Sequence, residues 1–339
     1  MKPTNFAYYL TNFLSKYLSG IAGLSPNTIM SYRDTFSLFL DFCSKQKKIK
    51  AEKFSLNHLN RQLVEQYLEW LEKTRNCIAS TRNVRLAAFH SFCRYLQMEF
   101  PDYIHSAQQI LSIPMKKTKK ISVEYITLEA MKFLLKKPDK MTKNGRRNIV
   151  LLSLLYDSGA RVQELADLKV GDIRIASPST VKLMGKGDKT RIVPLMKPMS
   201  KLLNHYLQEN NLIEPHTFDY PLFRNRSKDK LTRAGIAYIV KKYACTAIKE
   251  APGLFPDKLS PHCFRHSKAI HLLQSGVNLI YIRDFLGHVD IQTTEIYARI
   301  DGEMKRKALE KSNNNVVSSE MPEWQNNANL MNWLKNIGK

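Results

Sequence analysis

The chain has 339 residues, of which 43% are hydrophobic, so it can bury two separate cores and is too apolar for a disordered protein. Its 53 Lys and Arg residues against 30 Asp and Glu give a net charge of +23, which indicates a polyanionic partner, either nucleic acid or an acidic membrane surface. The apolar runs are shorter than the ~18 residues of a spanning helix, and the N-terminus lacks a signal-peptide core. We therefore expect a cytoplasmic protein that binds nucleic acid and no membrane.

Cysteine usage agrees with this location. The five cysteines, at positions 43, 77, 93, 245 and 263, form no CxxC pair. An odd number without framework spacing predicts reduced thiols in a cytosolic protein. We expect all five to be small apolar core residues.

The first segment, residues 1–111, is predicted to be a bundle of four helices. The first covers Phe6–Leu18, and Ser25-Pro26 predicts the N-terminus of the second. Apolar residues at helical spacing mark the third at Leu63–Leu71, and Ser80 is expected to cap the fourth. We interpret the aromatic stripes as core, and the opposite faces carry many basic residues. The residues expected to face inward on the fourth helix are Val84, Ala88, Phe92, Tyr95 and Leu96.

Residues 112–126 have a different character. They contain a proline and four closely spaced lysines, and they show no helical period. Between two folded segments of a basic protein, such a run predicts a linker that lies along DNA phosphates. The four lysines proposed to contact DNA are Lys116, Lys117, Lys119 and Lys120.

The second segment, residues 127–312, is predicted to be a mixed α+β domain. Residues 181–195 alternate as strand, Gly-rich turn and strand, which indicates an antiparallel β-hairpin. The tail, residues 313–339, is a polar spacer followed by an amphipathic stretch whose apolar face, from Trp324 to Leu334, packs on its own domain or on a neighbouring protomer. Helices are expected at 127–136, 147–156, 197–210, 231–249, 261–275 and 279–286, and just before Tyr297.

Cutting a DNA strand without a metal ion requires side chains that supply the missing positive charge. An attacked phosphodiester gains charge on its equatorial oxygens, and arginine can stabilise it with a planar fork of donors. Tyrosine can form a covalent phosphate ester, although its free pKa of ~10 calls for a base or a strong positive field. The departing alkoxide needs a proton, which a lysine or histidine can give.

Residues of these types occur in three stretches of the second segment. His262 and Arg265 stand three apart on one helical face and are candidates for a proton relay and a phosphate clamp, with Tyr297 as the candidate nucleophile. The further candidates are Arg161 as a second clamp, Lys186 in the hairpin turn as the acid, and His288 as another donor.

Two neighbours of these candidates are interpreted as structural. Glu164 lies one turn after Arg161 and is expected to fix the helix as a partner of that arginine. His266, next to Arg265, is expected to be a packed residue or one that supports the catalytic groups from behind. His262 and His266 also have the i, i+4 spacing of a zinc site, but Cys263 follows the first histidine where a glutamate is required, so zinc is disfavoured and we expect no metal or cofactor.

Four stretches of the chain resemble, in order, the conserved boxes of the tyrosine recombinases, a family that includes the phage integrases and the Xer proteins. They are YDSGARVQELADLKVGDI with Arg161, GKGDKTRIVPL with Lys186, LSPHCFRHSKA with His262 and Arg265, and LGHVDIQTTEIYARI with His288 and Tyr297.

The resemblance implies a mainly α-helical fold with a small antiparallel sheet: an N-terminal four-helix core-binding domain and an α+β catalytic domain. It implies metal- and ATP-independent cleavage in which Tyr297 forms a 3′-phosphotyrosine, Lys186 protonates the 5′-oxygen, and Arg161 and Arg265 hold the phosphate. His262 would take or relay the tyrosine proton and His288 would donate to the phosphate. The implied partners are double-stranded DNA and further copies of the chain, as a tetramer that exchanges strands through a Holliday junction and can dock its tail in trans.

Three other functions are consistent with parts of the sequence. A type IB topoisomerase uses similar catalytic groups on a single duplex, a non-catalytic DNA-binding factor needs only the charge, and an RNA-binding or membrane-surface protein also needs only the charge. The last two leave the complete set of catalytic groups unexplained. The DNA target, the direction of recombination and the genetic element served cannot be read from the residues.

Overall fold

A computed structural model of the protein describes residues 3–118, 123–185, 187, 189–256, 258–288, 290–298 and 328–337. The chain divides into two compact units, residues 1–121 and 122–339. Both are mainly helical, and the second contains an antiparallel sheet, so the predicted fold class is confirmed. The division into 1–111, 112–126, 127–312 and 313–339 stays a prediction.

The first unit is a helical bundle. The predicted cap is confirmed, because the Ser25 side chain accepts a hydrogen bond from the Thr28 N–H and Pro26 occupies the first turn. The cap predicted at Ser80 is wrong: the N-cap is Ile78, two residues earlier, and the helix begins at Ala79. The helices are α1 (Asn5–Asn12), which continues as a π-helical segment (Phe13–Ile21), α2 (Pro26–Lys47), α3 (Arg61–Lys73), α4 (Ala79–Glu99) and α5 (Ile104–Leu111).

Aromatic side chains fill the centre of this bundle, as predicted. Phe36 on α2 and Phe89 and Phe92 on α4 are almost fully buried, and Phe36 makes edge-to-face contacts with both, with ring centroids 5.1 and 5.2 Å apart. Such pairs stabilise a core beyond their burial alone. Val84, which was expected to face inward, is instead 50% exposed because it lies on the outer face of α4.

The second unit surrounds its own core with helices and one small sheet. Helix α7 passes through the centre and buries an almost continuous run from Asn148 to Leu155. The helices are α6 (Leu128–Leu135), α7 (Lys143–Asp157), α8 (Val162–Asp167), α9 (Lys197–Glu209), α10 (Arg233–Glu250), α11 (Pro261–Gln274), α12 (Leu279–Leu286) and α13 (Gln292–Ala298). All seven helices predicted in this segment are present, with Tyr297 inside the last of them.

The predicted hairpin is confirmed and gains a short third strand. Strands β1 (Ile173–Arg174), β2 (Thr180–Met184) and β3 (Thr190–Pro194) form an antiparallel sheet in that order. Leu183 pairs with Arg191, and directly paired residues lie on the same face of a sheet. Because Leu183 is fully buried, Arg191 also points inward.

A smaller apolar cluster joins α11, α12 and α13. It contains Ile270, Leu273, Ile282 and Leu286, together with the ring of Tyr297. The packing of these three helices therefore fixes the position of the candidate nucleophile.

The remaining predictions have mixed outcomes. Cys43, Cys93 and Cys263 are buried thiols as expected, whereas Cys77 is half-buried and Cys245 is exposed on α10, so the expectation of five core cysteines is wrong.

The helix Ala328–Asn336 exposes Met331, Trp333 and Leu334, while Trp324 lies outside the described residues. In the described part of the chain, no helix is long and apolar enough to cross a membrane.

Candidate active site

The turn between α7 and α8 carries Arg161. Gly159 has a φ of +57°, and a Cβ added there would come within 3.0 Å of the side chains of Phe285 and Leu286. A glycine is required at this position because the left-handed backbone and the close approach both exclude a side chain. The turn thereby packs against the C-terminal end of α12, and Arg161 follows as the N-cap of α8.

A buried carboxylate, that of Glu164, connects two arginines. It accepts hydrogen bonds from the backbone N–H and Nη1 of Arg161, both at 2.8 Å. It also accepts a bidentate pair from Arg191, at 2.9 and 2.7 Å. The predicted role of Glu164 as a structural partner of Arg161 is confirmed, and its link to the hairpin through Arg191 is additional.

The neighbouring arginines keep the Glu164 carboxylate ionised, although its side chain is only 4% exposed. Burial acts to raise the pKa of this carboxyl, but the hydrogen bonds and charge of Arg191 and the donors of Arg161 outweigh it, so the pKa lies below its usual value. A carboxylate that accepts several hydrogen bonds is stabilised in its charged form. The position of both guanidinium groups therefore depends on this one anion.

The C-terminal end of α12 holds three arginines through its carbonyl groups. The last carbonyls of a helix have no partners within the helix and carry partial negative charge, so they attract cations. Gly287, with a φ of +64°, ends the helix beside the side chain of Arg191. The bonds are Arg191 Nε to Phe285 O at 3.0 Å, Arg265 Nη2 to Leu286 O at 2.5 Å, and Arg161 Nη2 to Gly287 O at 3.5 Å.

Arg265 is the most deeply placed of the three, with 4% of its surface exposed. Its Nη1 donates to the carbonyl of Gly159 at 2.7 Å. Burial, followed by repulsion from Arg161 and Arg191, lowers the pKa of Arg265 to about 9, which still leaves the group charged at neutral pH. The site therefore contains a compact, rigid cluster of positive charge.

Tyr297 reaches this cluster from α13 and is 1% exposed. Its hydroxyl is hydrogen bonded to Nδ1 of His266 at 2.9 Å, and the two rings lie 5.7 Å apart. Burial raises the pKa of Tyr297, while the charges of Arg265 and Arg161 act in the opposite direction. Of the two expectations for His266, the supporting role fits, because the ring contacts the hydroxyl of the candidate nucleophile directly.

His262 and His288 both lie near Arg161 and Arg265. Although the side chain of His262 reaches solvent, partial burial and the charges of Arg233, Arg265 and Arg161 lower its pKa. Nδ1 of His288 is hydrogen bonded to the buried hydroxyl of Thr294 at 2.9 Å. Burial and the neighbouring arginines lower the pKa of His288 to about 4, so this ring is neutral at pH 7.

Lys186 lies outside the described residues, but the residue before it is placed. The Gly185 N–H donates to the carbonyl of Lys189 at 2.8 Å and so closes the hairpin. A Cβ added at Gly185 would lie 3.4 Å from Oε1 of Glu164 and 3.7 Å from Nη1 of Arg161. The chain thus enters the turn that contains Lys186 directly beside Arg161.

The structure brings together five of the six predicted catalytic residues, with Lys186 as the remaining one. Arg191 was not among the predicted residues, and the direct contact of His266 with Tyr297 was not predicted either. Arg191 could have been found from the sequence, because it stands two residues before Val193 in the predicted strand and so lies on the same, inward face. An inward-facing arginine requires a buried anion. His266 had a signal too, since its i, i+4 spacing from His262 places both rings on one helical face.

The two other sets of predicted residues have different surroundings. Lys116 pairs with Glu72 at 2.8 Å, while Lys117 is exposed. Lys119 and Lys120 lie outside the described residues. For the zinc alternative, the described residues contain no group of three or more His, Cys, Asp or Glu side chains that could hold a metal ion.

Comparison with known proteins identifies the family. Residues 124–304 match the Phage integrase family, and residues 11–99 match the phage integrase N-terminal SAM-like domain. A putative integrase/recombinase of Sinorhizobium fredii is 30% identical over 337 residues, which covers 99% of each chain. This chain belongs to the tyrosine recombinases of the phage integrase family.

Other relatives of this recombinase agree with that assignment. Tyrosine recombinase XerC of Thermodesulfovibrio yellowstonii is 30% identical over 302 residues, covering 88% of this chain and 93% of the relative. The XerH recombinase bound to difH substrate in a pre-cleavage complex matches with a TM-score of 0.63 and 25% identity, covering 83% of this chain and 78% of that one. The Tn1549 transposon integrase in complex with transposon right end DNA matches with a TM-score of 0.65 and 14% identity, covering 89% and 98%, and this likeness shows the fold alone.

The activity of this recombinase is therefore the cleavage and rejoining of DNA in site-specific recombination. The comparisons give no support to a topoisomerase, a non-catalytic DNA-binding factor, or an RNA-binding or membrane-surface protein.

The role of Glu164 can be tested by removing its charge. We expect Glu164→Gln to destabilise the second unit by about 3 kcal/mol, because breaking a buried ion pair leaves uncompensated charge. Since the pKa of Glu164 is lowered, the stability from this pair is complete above the ordinary carboxyl pKa and is lost as pH falls through the lowered one. The difference between variant and wild type in urea denaturation should therefore shrink in acid.

Asp167→Asn on the same helix is the matched control. Asp167 pairs with Lys230 at the surface, with 47% of its side chain exposed, and its loss should change stability by less than about 1 kcal/mol. Equal effects of the two substitutions would contradict a central role for Glu164.

Proposed function

We propose that Tyr297 attacks a phosphate of double-stranded DNA, forming a 3′-phosphotyrosine and releasing a 5′-hydroxyl. The observation that carries this proposal is the position of the Tyr297 hydroxyl, which lies within the field of Arg161 and Arg265. A tyrosine oxygen that bonds to phosphorus must lose its proton, and nearby guanidinium groups stabilise the resulting charge. The covalent ester retains the energy of the broken bond, so the 5′-hydroxyl of a partner strand can displace Tyr297 without ATP.

Arg161 and Arg265 hold the non-bridging oxygens of the phosphate in this proposal. Their orientation is set in advance by Glu164, by the α12 carbonyls and by the carbonyl of Gly159. Donors that are already oriented stabilise developing charge without reorganisation. Arg161, whose side chain is 34% exposed, supplies the open side of the cradle.

His288 donates to the phosphate through Nε2. The Thr294 hydroxyl can donate to Nδ1, which places the ring proton on Nε2 and directs it away from Thr294. His262 reaches solvent beside the same arginines and is positioned as a second imidazole contact with the bound phosphate.

Lys186 is proposed as the general acid that protonates the departing 5′-oxygen. The position of Gly185 supports this role, because it lies beside Arg161 and Glu164 and directly precedes Lys186 in the sequence. A lysine near a scissile phosphate is suited to give its proton to an alkoxide.

A full recombination reaction is proposed to involve four copies of the chain on two DNA sites and a Holliday junction. The exposed Met331, Trp333 and Leu334 of the tail helix support docking on a neighbouring copy.

Four lysines near the boundary between the two segments are proposed to contact the DNA backbone: Lys116, Lys117, Lys119 and Lys120. On binding DNA, Lys116 would exchange its ion pair with Glu72 for a contact with a phosphate. The reaction requires no metal or other cofactor and takes place in the cytoplasm.

The assignment of the nucleophile is tested with nicked duplexes that trap the covalent intermediate, because the short strand beside the cleaved bond diffuses away. The duplexes carry a randomised central segment, and captured sequences are then used individually. We expect wild-type protein to form an adduct that survives denaturing electrophoresis, and Tyr297→Phe to form none while still binding the duplex. Tyr281→Phe is the matched control, because this tyrosine is 70% exposed on α12. An adduct formed by Tyr297→Phe would contradict the proposal.

Lys186 is tested by changing the leaving group. We expect Lys186→Ala to cleave an ordinary duplex at least ~100-fold more slowly and to recover when sulfur replaces the bridging 5′-oxygen, because a thiolate leaves without being protonated. Single-turnover rates on the two duplexes give the comparison. A defect of equal size on both would assign Lys186 to phosphate binding instead.

A further inference from the structure

The hydrogen bond between Tyr297 and His266 raises the question of where the tyrosine proton goes. The Tyr297 oxygen lies 2.9 Å from Nδ1 of His266, in a site where the tyrosine is 1% exposed. A buried hydroxyl cannot release its proton directly to bulk water. The group that contacts the hydroxyl is therefore the first candidate to receive the proton.

The geometry of α11 separates the two histidines that face the site. His262 and His266 lie one turn apart, with ring centroids 6.4 Å apart. His262 lies closer to solvent, whereas His266 is half-buried against Tyr297. In the described part of the chain, the ring nitrogens of His262 make no hydrogen bond, so the Tyr297 hydroxyl is hydrogen bonded to His266 and not to His262.

His266 is a neutral ring at pH 7. Burial, and then the charges of His262 and Arg265, lower its pKa to about 4. The raised pKa of Tyr297 keeps its hydroxyl protonated. With an uncharged imidazole and a protonated phenol, the hydroxyl can donate to the Nδ1 lone pair while Nε2 carries the ring proton.

We propose that His266 is the general base of this recombinase, receiving the Tyr297 proton on Nδ1 as the tyrosine attacks the phosphate. This inference rests on the proposed function of Tyr297. The Tyr297 oxygen forms a bond to phosphorus, the bond from phosphorus to the 5′-oxygen breaks, and Lys186 gives that oxygen a proton. In the rejoining step the same proton returns from His266 to Tyr297.

Binding of DNA makes His266 a stronger base. Charged or titratable groups face it from three elements: His262 and Arg265 on α11, Tyr297 on α13, and His288 after α12. A phosphate held by the arginines offsets their positive field, so the imidazolium form of His266 becomes less costly. The base therefore gains strength when the substrate is in place.

The test uses His266→Asn and His262→Asn on the captured nicked duplex, with oxygen or sulfur at the bridging 5′ position. Asparagine retains a polar atom near Nδ1 but cannot take a proton at neutral pH. We expect His266→Asn to slow adduct formation roughly 100-fold on both duplexes, because tyrosine must lose its proton whichever atom leaves. The Lys186→Ala defect should be removed by sulfur, and His262→Asn should show the smaller loss.

The pH dependence distinguishes proton transfer from positioning. His266 can accept the tyrosine proton only while its ring is neutral, so the wild-type rate on the sulfur duplex should fall as pH drops through the pKa that His266 has in the DNA complex. His266→Asn should lose this acid limb, and His262→Asn should retain it. A structural role for His266 would lower the rate without changing the shape of the profile.

Two controls keep the outcomes separate. His271→Asn removes another buried histidine of α11, one that is hydrogen bonded to Tyr156 instead, and melting temperatures show whether each variant folds. If His266→Asn melts early, His266→Gln replaces it. The inference is overturned if His266→Asn cleaves at the wild-type rate, or if its acid limb persists, while Tyr297→Phe forms no adduct. If Tyr297→Phe still forms an adduct, the proposed function itself fails.

Discussion

The candidate active site depends on one buried anion, the carboxylate of Glu164. Three guanidinium groups lie close together in this unit, and like charges removed from water repel one another strongly. Glu164 offsets this repulsion by accepting hydrogen bonds from both Arg161 and Arg191. Because these two arginines come from a helix N-terminus and from a sheet strand, the same carboxylate also connects α8 to the hairpin.

The C-terminal end of α12 completes the arrangement. Its free carbonyls accept hydrogen bonds from Arg161, Arg191 and Arg265. The partial negative charges of these carbonyls stabilise the three guanidinium groups together with the single carboxylate of Glu164. Gly159 and Gly287 are needed because each lets the backbone approach a neighbouring element without a side chain. The cradle is therefore built before DNA binds, and its positive charge is available to a phosphate.

The same electrostatics keep the candidate nucleophile, Tyr297, protonated. Tyr297 is buried with a raised pKa, and the His266 beside it has a pKa of about 4. A weak base and a weakly acidic phenol exchange no proton, so the tyrosine stays unreactive. In our proposal, the negative charge of the bound phosphate makes His266 a stronger base, so that it can accept the tyrosine proton. Cleavage therefore depends on the presence of the substrate.

Much of this architecture could be predicted from the sequence because local signals dominate it. Helix periodicity and the cap at Ser25 located most of the elements, and the ordered boxes identified the family. Errors arose where tertiary packing decides: α4 starts at Ala79 and turns Val84 outward, and Cys245 lies on the exposed face of α10. The partners of Arg191 and His266 lie 27 and 31 residues away, so a local pattern can place these side chains on an inward face but cannot show what they contact.

The most direct test is to identify the residue that carries DNA in the trapped complex. The adduct on the captured duplex would be digested with trypsin and nuclease and analysed by mass spectrometry, with and without a metal chelator. We predict a single modified peptide with a 3′-linked nucleotide on Tyr297, in equal yield under both conditions. A nucleotide on another residue, or an adduct lost with the chelator, would contradict a tyrosine nucleophile that acts without a metal ion.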